Sequence, residues 1–194
     1  VAVTGVQTCA LPIYSIAGIA AARGIHVREA LMDTMADGHP LLYLVGNYPG
    51  HLEGNRNGIA NPRSILGLSD GGAHCATLCD ASLSTYMLAY MSRDRRKGAT
   101  LPLELSVHKM TQDTARVYGL HDRGVIAPGY RADLNVIDFN ALALTPPEMV
   151  YDLPAGGRRL IQKARGYRHA VCAGALTFEH GEHTGAMPGR LLRA

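Results

Sequence analysis

The character of the chain changes at Leu120, and that change limits the folds open to it. Before residue 120, helical stretches alternate with short apolar runs. Segments 15–23 (SIAGIAAAR) and 27–36 (VREALMDTMA) read as helices, and in the second Val27, Leu31 and Met35 recur at helical spacing. Gly24 and Gly38 stop them. Segments 41–45 (LLYLV) and 64–69 (SILGLS) read as buried strands, and 51–60 as a helix weakened by its glycines. Residues 71–82 form a loop of small and polar residues. Further helices are predicted over 85–96, with Tyr86, Met87, Tyr90 and Met91 on one side, over 102–109 and over 111–119. Pro102 suits a first turn and Gly119 a C-cap. The run RDRRK at 93–97 reads as a solvated helix end, where positive charge suits the dipole.

After residue 120, turn residues separate short alternating stretches. Residues 132–139 alternate as a strand does, and 167–173 and 175–179 flank Gly174 like two strands about a tight turn. An arm rich in proline, glycine and arginine spans 145–165, and 185–194 reads as an extended tail. Helices alternating with strands, then strands alone, predict the end of an α/β domain followed by a small β domain. At 194 residues the chain is too short for a closed eight-stranded α/β barrel, which takes about 250.

Composition excludes several classes. A chain 47% hydrophobic and 18% charged is not a disordered one. A net charge of +3, evenly spread, argues against a nucleic-acid partner. No apolar run reaches the roughly 18 residues of a membrane span. Four cysteines in this length make no disulfide framework, and unpaired cysteines point to the cytoplasm. The opening residues 3–13 (VTGVQTCALPI) resemble, read back into DNA, a common sequencing-adapter oligonucleotide. They are expected to be a non-native leader that packs poorly, with the natural sequence starting near Tyr14 and belonging to something longer. The expected divisions are therefore 1–13, 14–119 and 120–194.

Chemistry concentrates in Ser69-Asp70-Gly71-Gly72-Ala73-His74. An acid at the C-terminal tip of a barrel strand sits where active sites are built, and two glycines let backbone or substrate come close. Such a carboxylate can take a proton from water and return it to a leaving amine; the plain alternative is that Asp70 caps the next loop or helix. The same stretch matches the G-x-S-x-G nucleophile elbow, with Ser69 as nucleophile, but that motif needs a helix directly after the turn. His74, four residues past Asp70, either lines the same pocket or is a loop histidine. Cys75 and Cys79 read as reduced thiols, because a structural zinc site usually needs four ligands. The remaining histidines form neither H-x-H nor H-E-x-x-H.

Three segments together resemble the amidohydrolase superfamily: 65–74 (ILGLSDGGAH), 110–138 with its ADLNVID ending, and 181–190 (GEHTGAMPGR). Within it they look most like the N-acyl-D-amino-acid deacylases of the D-aminoacylase type. The resemblance runs from Tyr14 to the C-terminus. It implies the C-terminal part of a (β/α)8 barrel followed by part of a β-sandwich domain. It also implies zinc-dependent hydrolysis of the amide bond of N-acyl-D-amino acids, with the main metal ligands upstream and this stretch inactive alone. Asp70 would match the acid at the end of the eighth strand, the group that serves the zinc-activated water as base and then acid. Gly71, Gly72 and His74 would line the substrate site. The substrate, a small N-acyl amino acid, carries a carboxylate that Arg63, Arg93 or Arg95 could meet. A ring-opening, dihydropyrimidinase-like amidohydrolase is the nearest alternative, a serine hydrolase or a catalytically silent scaffold the more distant ones.

Overall fold

The computed structural model describes residues 15–37, 52–67, 69, 72 and 74–192. The leader, the strand expected at 41–45, the stop at Gly38, Asp70 and Gly71 lie outside the described residues. The chain divides into two compact units, Val1–Gly50 and His51–Ala194.

In the first unit, α1 (Ile16–Arg23) and α2 (Val27–Ala36) form a helical pair. Ser15 caps α1 by accepting from the Gly18 amide at 2.9 Å. Gly24 ends it in the left-handed region at φ 65°, as the sequence predicts. The buried contacts are Ile16, Ala20 and Ala30. Of the predicted stripe on α2, Leu31 packs against this cluster, but Val27 and Met35 are exposed and Ala30 makes the close approach. A small residue lets two helices come nearer than Val or Met would.

The second unit begins with α3 (Glu53–Ala60), formed despite Gly54 and Gly58. Residues 64–67 join no strand, contrary to the sequence expectation. Their hydrogen bonds go elsewhere: Ser64 Oγ donates to the Gly58 and Asn61 carbonyls, and the Lys109 ammonium takes the Asn61 carbonyl at 2.9 Å and the Ser64 carbonyl at 2.5 Å. Helix α4 (Leu83–Tyr86) then runs into a π-helical stretch, Met87–Asp94. Helix α5 (Leu103–His108) continues without a break through a second π stretch, Lys109–Asp113, into α6 (Thr114–Val117). The two helices expected at 102–109 and 111–119 are thus one run. Ser92 and Ser106 meet hydroxyl to hydroxyl at 2.7 Å between these bodies. Met87, Met91, Leu52 and Leu101 form the buried cluster here, and Tyr86 stacks on Tyr90 at 4.9 Å.

Beyond residue 120 the chain is strand and turn. β1 (Leu134–Ile137), β6 (Tyr167–Cys172), β7 (Ala175–Glu179) and β8 (Glu182–His183) make an antiparallel sheet in the order β1-β6-β7-β8. Its two tight turns, Ala173-Gly174 and His180-Gly181, have both residues at positive φ, the geometry that matches strand twist. β2 (Ala143–Leu144) pairs with β5 (Ala164–Arg165). In the arm at 145–165, β3 (Glu148–Leu153) and β4 (Gly157–Ile161) form a hairpin across Pro154–Gly156. Leu142, fully buried, packs with Leu88 and Ala89 of the helical part, while Ile137, Phe139 and Tyr167 close around them. Gly166 passes so near that an added Cβ would lie 2.6 Å from the Leu142 Cα.

Candidate functional site

Of the segment 69–82, the structure describes residues 69, 72 and 74–82. Ser69 is half-buried and in no regular element, and Gly72 is exposed at φ 119°, a value that needs glycine. His74 is exposed and left-handed at φ 51°. Its carbonyl accepts from the Thr77 and Leu78 amides at 2.8 and 2.9 Å and from the Thr77 hydroxyl at 3.1 Å. In this geometry His74 opens a turn. The next helix begins only at Leu83, so Ser69 does not stand on the strand–turn–helix elbow that a nucleophilic serine requires.

The turn docks onto the β3–β4 hairpin through the Leu160 amide, which donates to the Cys75 carbonyl at 2.7 Å. Between them lies a cavity of about 410 Å³. Gly72, Cys75, Leu78 and Cys79 line one side, and Arg159, Leu160, Ile161 and Gln162 the other. Gly72 reaches this cavity and His74 does not, so the described residues do not bring these two candidates together. Most polar side chains on the wall already have partners. Gln162 is hydrogen-bonded to Ser82 and to the Thr145 carbonyl, Thr85 to Tyr167, and Arg159 to both Asp152 oxygens at 2.7 Å. Burial, and next the charge of Asp80, pushes the Cys79 thiol up. Among the described residues no three His, Cys, Asp or Glu side chains converge to hold a metal ion.

Two of the three arginines considered for a substrate carboxylate are structural. Arg95 is buried, ion-paired with Glu53 and hydrogen-bonded to the Ala99 carbonyl at 2.6 Å. Arg93 pairs with Asp94 and donates to the carbonyls of Phe139, Asn140 and Leu142. Its guanidinium carbon also sits 5.5 Å from the Phe139 ring centre. Of the 93–97 run, Arg93 and Arg95 are thus not solvated as the sequence predicts, whereas Arg96 and Lys97 are exposed. Arg63 remains exposed. Lys109, the last residue of a predicted helix, is buried and ties the turn at 61–64 to the α5–α6 run; Asp113 Oδ2 lies 3.5 Å from it. No described helix is long and apolar enough to cross a membrane.

Among the described residues, helices run up to Val117 and antiparallel β structure follows from Leu134. The sequence profile of the amidohydrolase family fits residues 56–178, from α3 to β7, and the chain belongs to that family. Among characterised relatives it is 38% identical over 109 residues to an N-acyl-D-aspartate deacylase of Alcaligenes xylosoxydans xylosoxydans, covering 56% of this chain and 19% of that protein. It is 28% identical over 153 residues to a 5-methylthioadenosine/S-adenosylhomocysteine deaminase of Desulfitobacterium hafniense, covering 74% of this chain and 35% of the deaminase. Among solved structures it is similar to a D-aminoacylase variant in complex with copper chloride, with TM-score 0.55 and 28% identity, over 93% of this chain and 34% of the other. A further D-aminoacylase structure, described for its binuclear metal centre, matches with TM-score 0.51 and 28% identity over 89% of this chain and 33% of the other. The chain thus spans about a fifth to a third of the length of these relatives.

Proposed function

We propose that the whole protein hydrolyses the amide bond of N-acyl-D-amino acids, and that this chain supplies its catalytic acid. The observation that carries the reading is the likeness to D-aminoacylase over 93% of the chain. The 38% and 33% identities to deacylases of N-acyl-D-aspartate and N-acyl-D-glutamate from the same Alcaligenes support it. On this reading residues 14–119 are the C-terminal part of a (β/α)8 barrel, and residues 120–194 belong to a β-sandwich domain and its tail. Free Cys75, Cys79 and Cys172 suit the reducing cytoplasm.

Zinc is the metal we assign to the whole protein. The described residues offer no trio of ligands for it, so its ligands would have to come from outside them. What this chain brings is Asp70. Its carboxylate accepts a proton from the attacking water as the water oxygen bonds to the amide carbon. The same carboxyl then gives that proton to the departing nitrogen, so one group serves as base and acid in a turnover. Gly71 and Gly72, lacking side chains, leave room for substrate beside it, with His74 at the rim. Of the three arginines, Arg63 alone is free to meet the substrate carboxylate.

The test is turnover by the full-length protein of N-acetyl-D-aspartate, N-acetyl-D-glutamate and N-acetyl-D-methionine beside their L enantiomers, before and after chelation. Turnover confined to D substrates, lost on chelation and restored by zinc, is expected. Turnover of L substrates alone, or turnover indifferent to chelation, would overturn the reading.

A further inference from the structure

The thiols of Cys75 and Cys79 are both free and half-buried, and both line the same 410 Å³ cavity. The proposed hydrolysis uses neither. The turn that carries them is fixed at both ends. It starts with the hydrogen bonds from Thr77 and Leu78 to the His74 carbonyl, is pinned to β4 by the Leu160 amide on the Cys75 carbonyl, and ends at α4. We propose that Cys75 and Cys79 form a peroxide-sensitive dithiol that closes reversibly into a disulfide across this turn.

The two thiols are unlike. Arg159, held charged chiefly by its hydrogen bonds to Asp152 and in smaller part by Cys75, shares the cavity wall with Cys75. Burial, and next Asp80, pushes the Cys79 thiol up. Cys75, which shares its wall with the Arg159 cation, is the sulfur assigned to attack first. Hydrogen peroxide transfers one oxygen to Cys75 Sγ as its O–O bond breaks, leaving a sulfenic acid and water. Cys79 Sγ then attacks Cys75 Sγ; the S–S bond forms, the S–O bond breaks, and a second water leaves with the Cys79 proton. Two thiols are oxidised and one hydrogen peroxide is reduced to two waters. Gly72, two residues past Asp70, lines the same cavity, so the closed form stiffens the segment that follows the acid.

The probe is hydrogen peroxide, applied to the native chain and to a Cys9→Ser, Cys172→Ser double variant. The expected product is a tryptic peptide holding both Cys75 and Cys79, lighter by two hydrogens, closed to alkylation and reopened by dithiothreitol. It should form faster in the folded protein than in denaturant. In Cys79→Ser, Cys75 should instead be trapped by dimedone as the sulfenic acid. Recovery of both residues as alkylatable thiols, their cross-linking to other chains, or closure no faster in the folded protein than in denaturant would each overturn the proposal.

Discussion

The helices between residues 52 and 117 and the strands between 134 and 183 are held by different means. The helical part buries side chains: Met87, Met91 and Leu101 are each at most 5% exposed, and Leu88 and Ala89 are buried beside them. The sheet β1-β6-β7-β8 buries almost none: Leu134, Val136, Leu176 and Phe178 are each more than a third exposed. Its order rests on backbone ladders, on tight turns and on the exposed Asp138–Arg168 pair. A buried link between the two is the strip at Phe139–Leu144. There Leu142 enters the helical core and Arg93 takes three carbonyls. Within this unit, packing is the property of the helices, and the strands depend on being attached to them.

That contrast is open to breakage at its strong end first. Leu101→Ala should lower stability by about 3 kcal/mol, because it empties a fully packed site. Phe178→Ala, on the sheet, should lower it by less than about 1 kcal/mol, since much of that ring already meets water. Urea unfolding of both variants measures the difference; equal losses would abolish the contrast. Arg93→Met comes next. It leaves the Phe139 and Leu142 carbonyls without their charged donor, a change of about 2 kcal/mol. Amide hydrogen exchange should show the loss of protection in β1 and β6, with the Met87–Met91 core kept.

Acid supplies the smallest effect. Hydrogen bonds from Arg123, Arg168 and Arg159 hold the carboxyls of Asp122, Asp138 and Asp152 below the ordinary carboxylate value. A carboxyl depressed on folding contributes stability above its unfolded value of about 3.9, and that contribution fades as the pH falls through the lower folded value. All three sit in the strand and turn region. Between about pH 5 and about pH 2, exchange protection in β3, β4 and β6 should therefore fall before that of the helical core. Salt should shrink the effect, because these pairs are exposed. Loss of the helices first would contradict it.

Local signals were legible where local physics decides. Ser15 and Gly24 bound α1 as their types demand, α2 spans the predicted 27–36, and Gly174 makes the turn between β6 and β7. The side holding Tyr86, Met87, Tyr90 and Met91 does face a core. What escaped was decided at a distance. Arg93 and Arg95 look like a solvated charge run because their partners, Phe139 to Leu142 and Glu53, stand more than forty residues away. The β3–β4 hairpin hid because its turn puts Ala155, a residue with no turn signature, at φ 59°. The π stretches keep α-helical periodicity closely enough that no pattern marks them. Of the candidate site, the acid, the glycines and the family motif were readable in one line of sequence. The cavity was not, because part of its wall, Arg159 to Ile161, comes from β4, some eighty residues on.

The most direct measurement is kcat and KM of the full-length protein carrying Asp70→Asn, set beside Ser69→Ala. Asn keeps the shape of Asp but cannot carry the proton. The account predicts that Asp70→Asn lowers kcat by at least about a hundredfold, with KM little changed, while Ser69→Ala loses far less. Abolished turnover in Ser69→Ala, with Asp70→Asn still active, would contradict it.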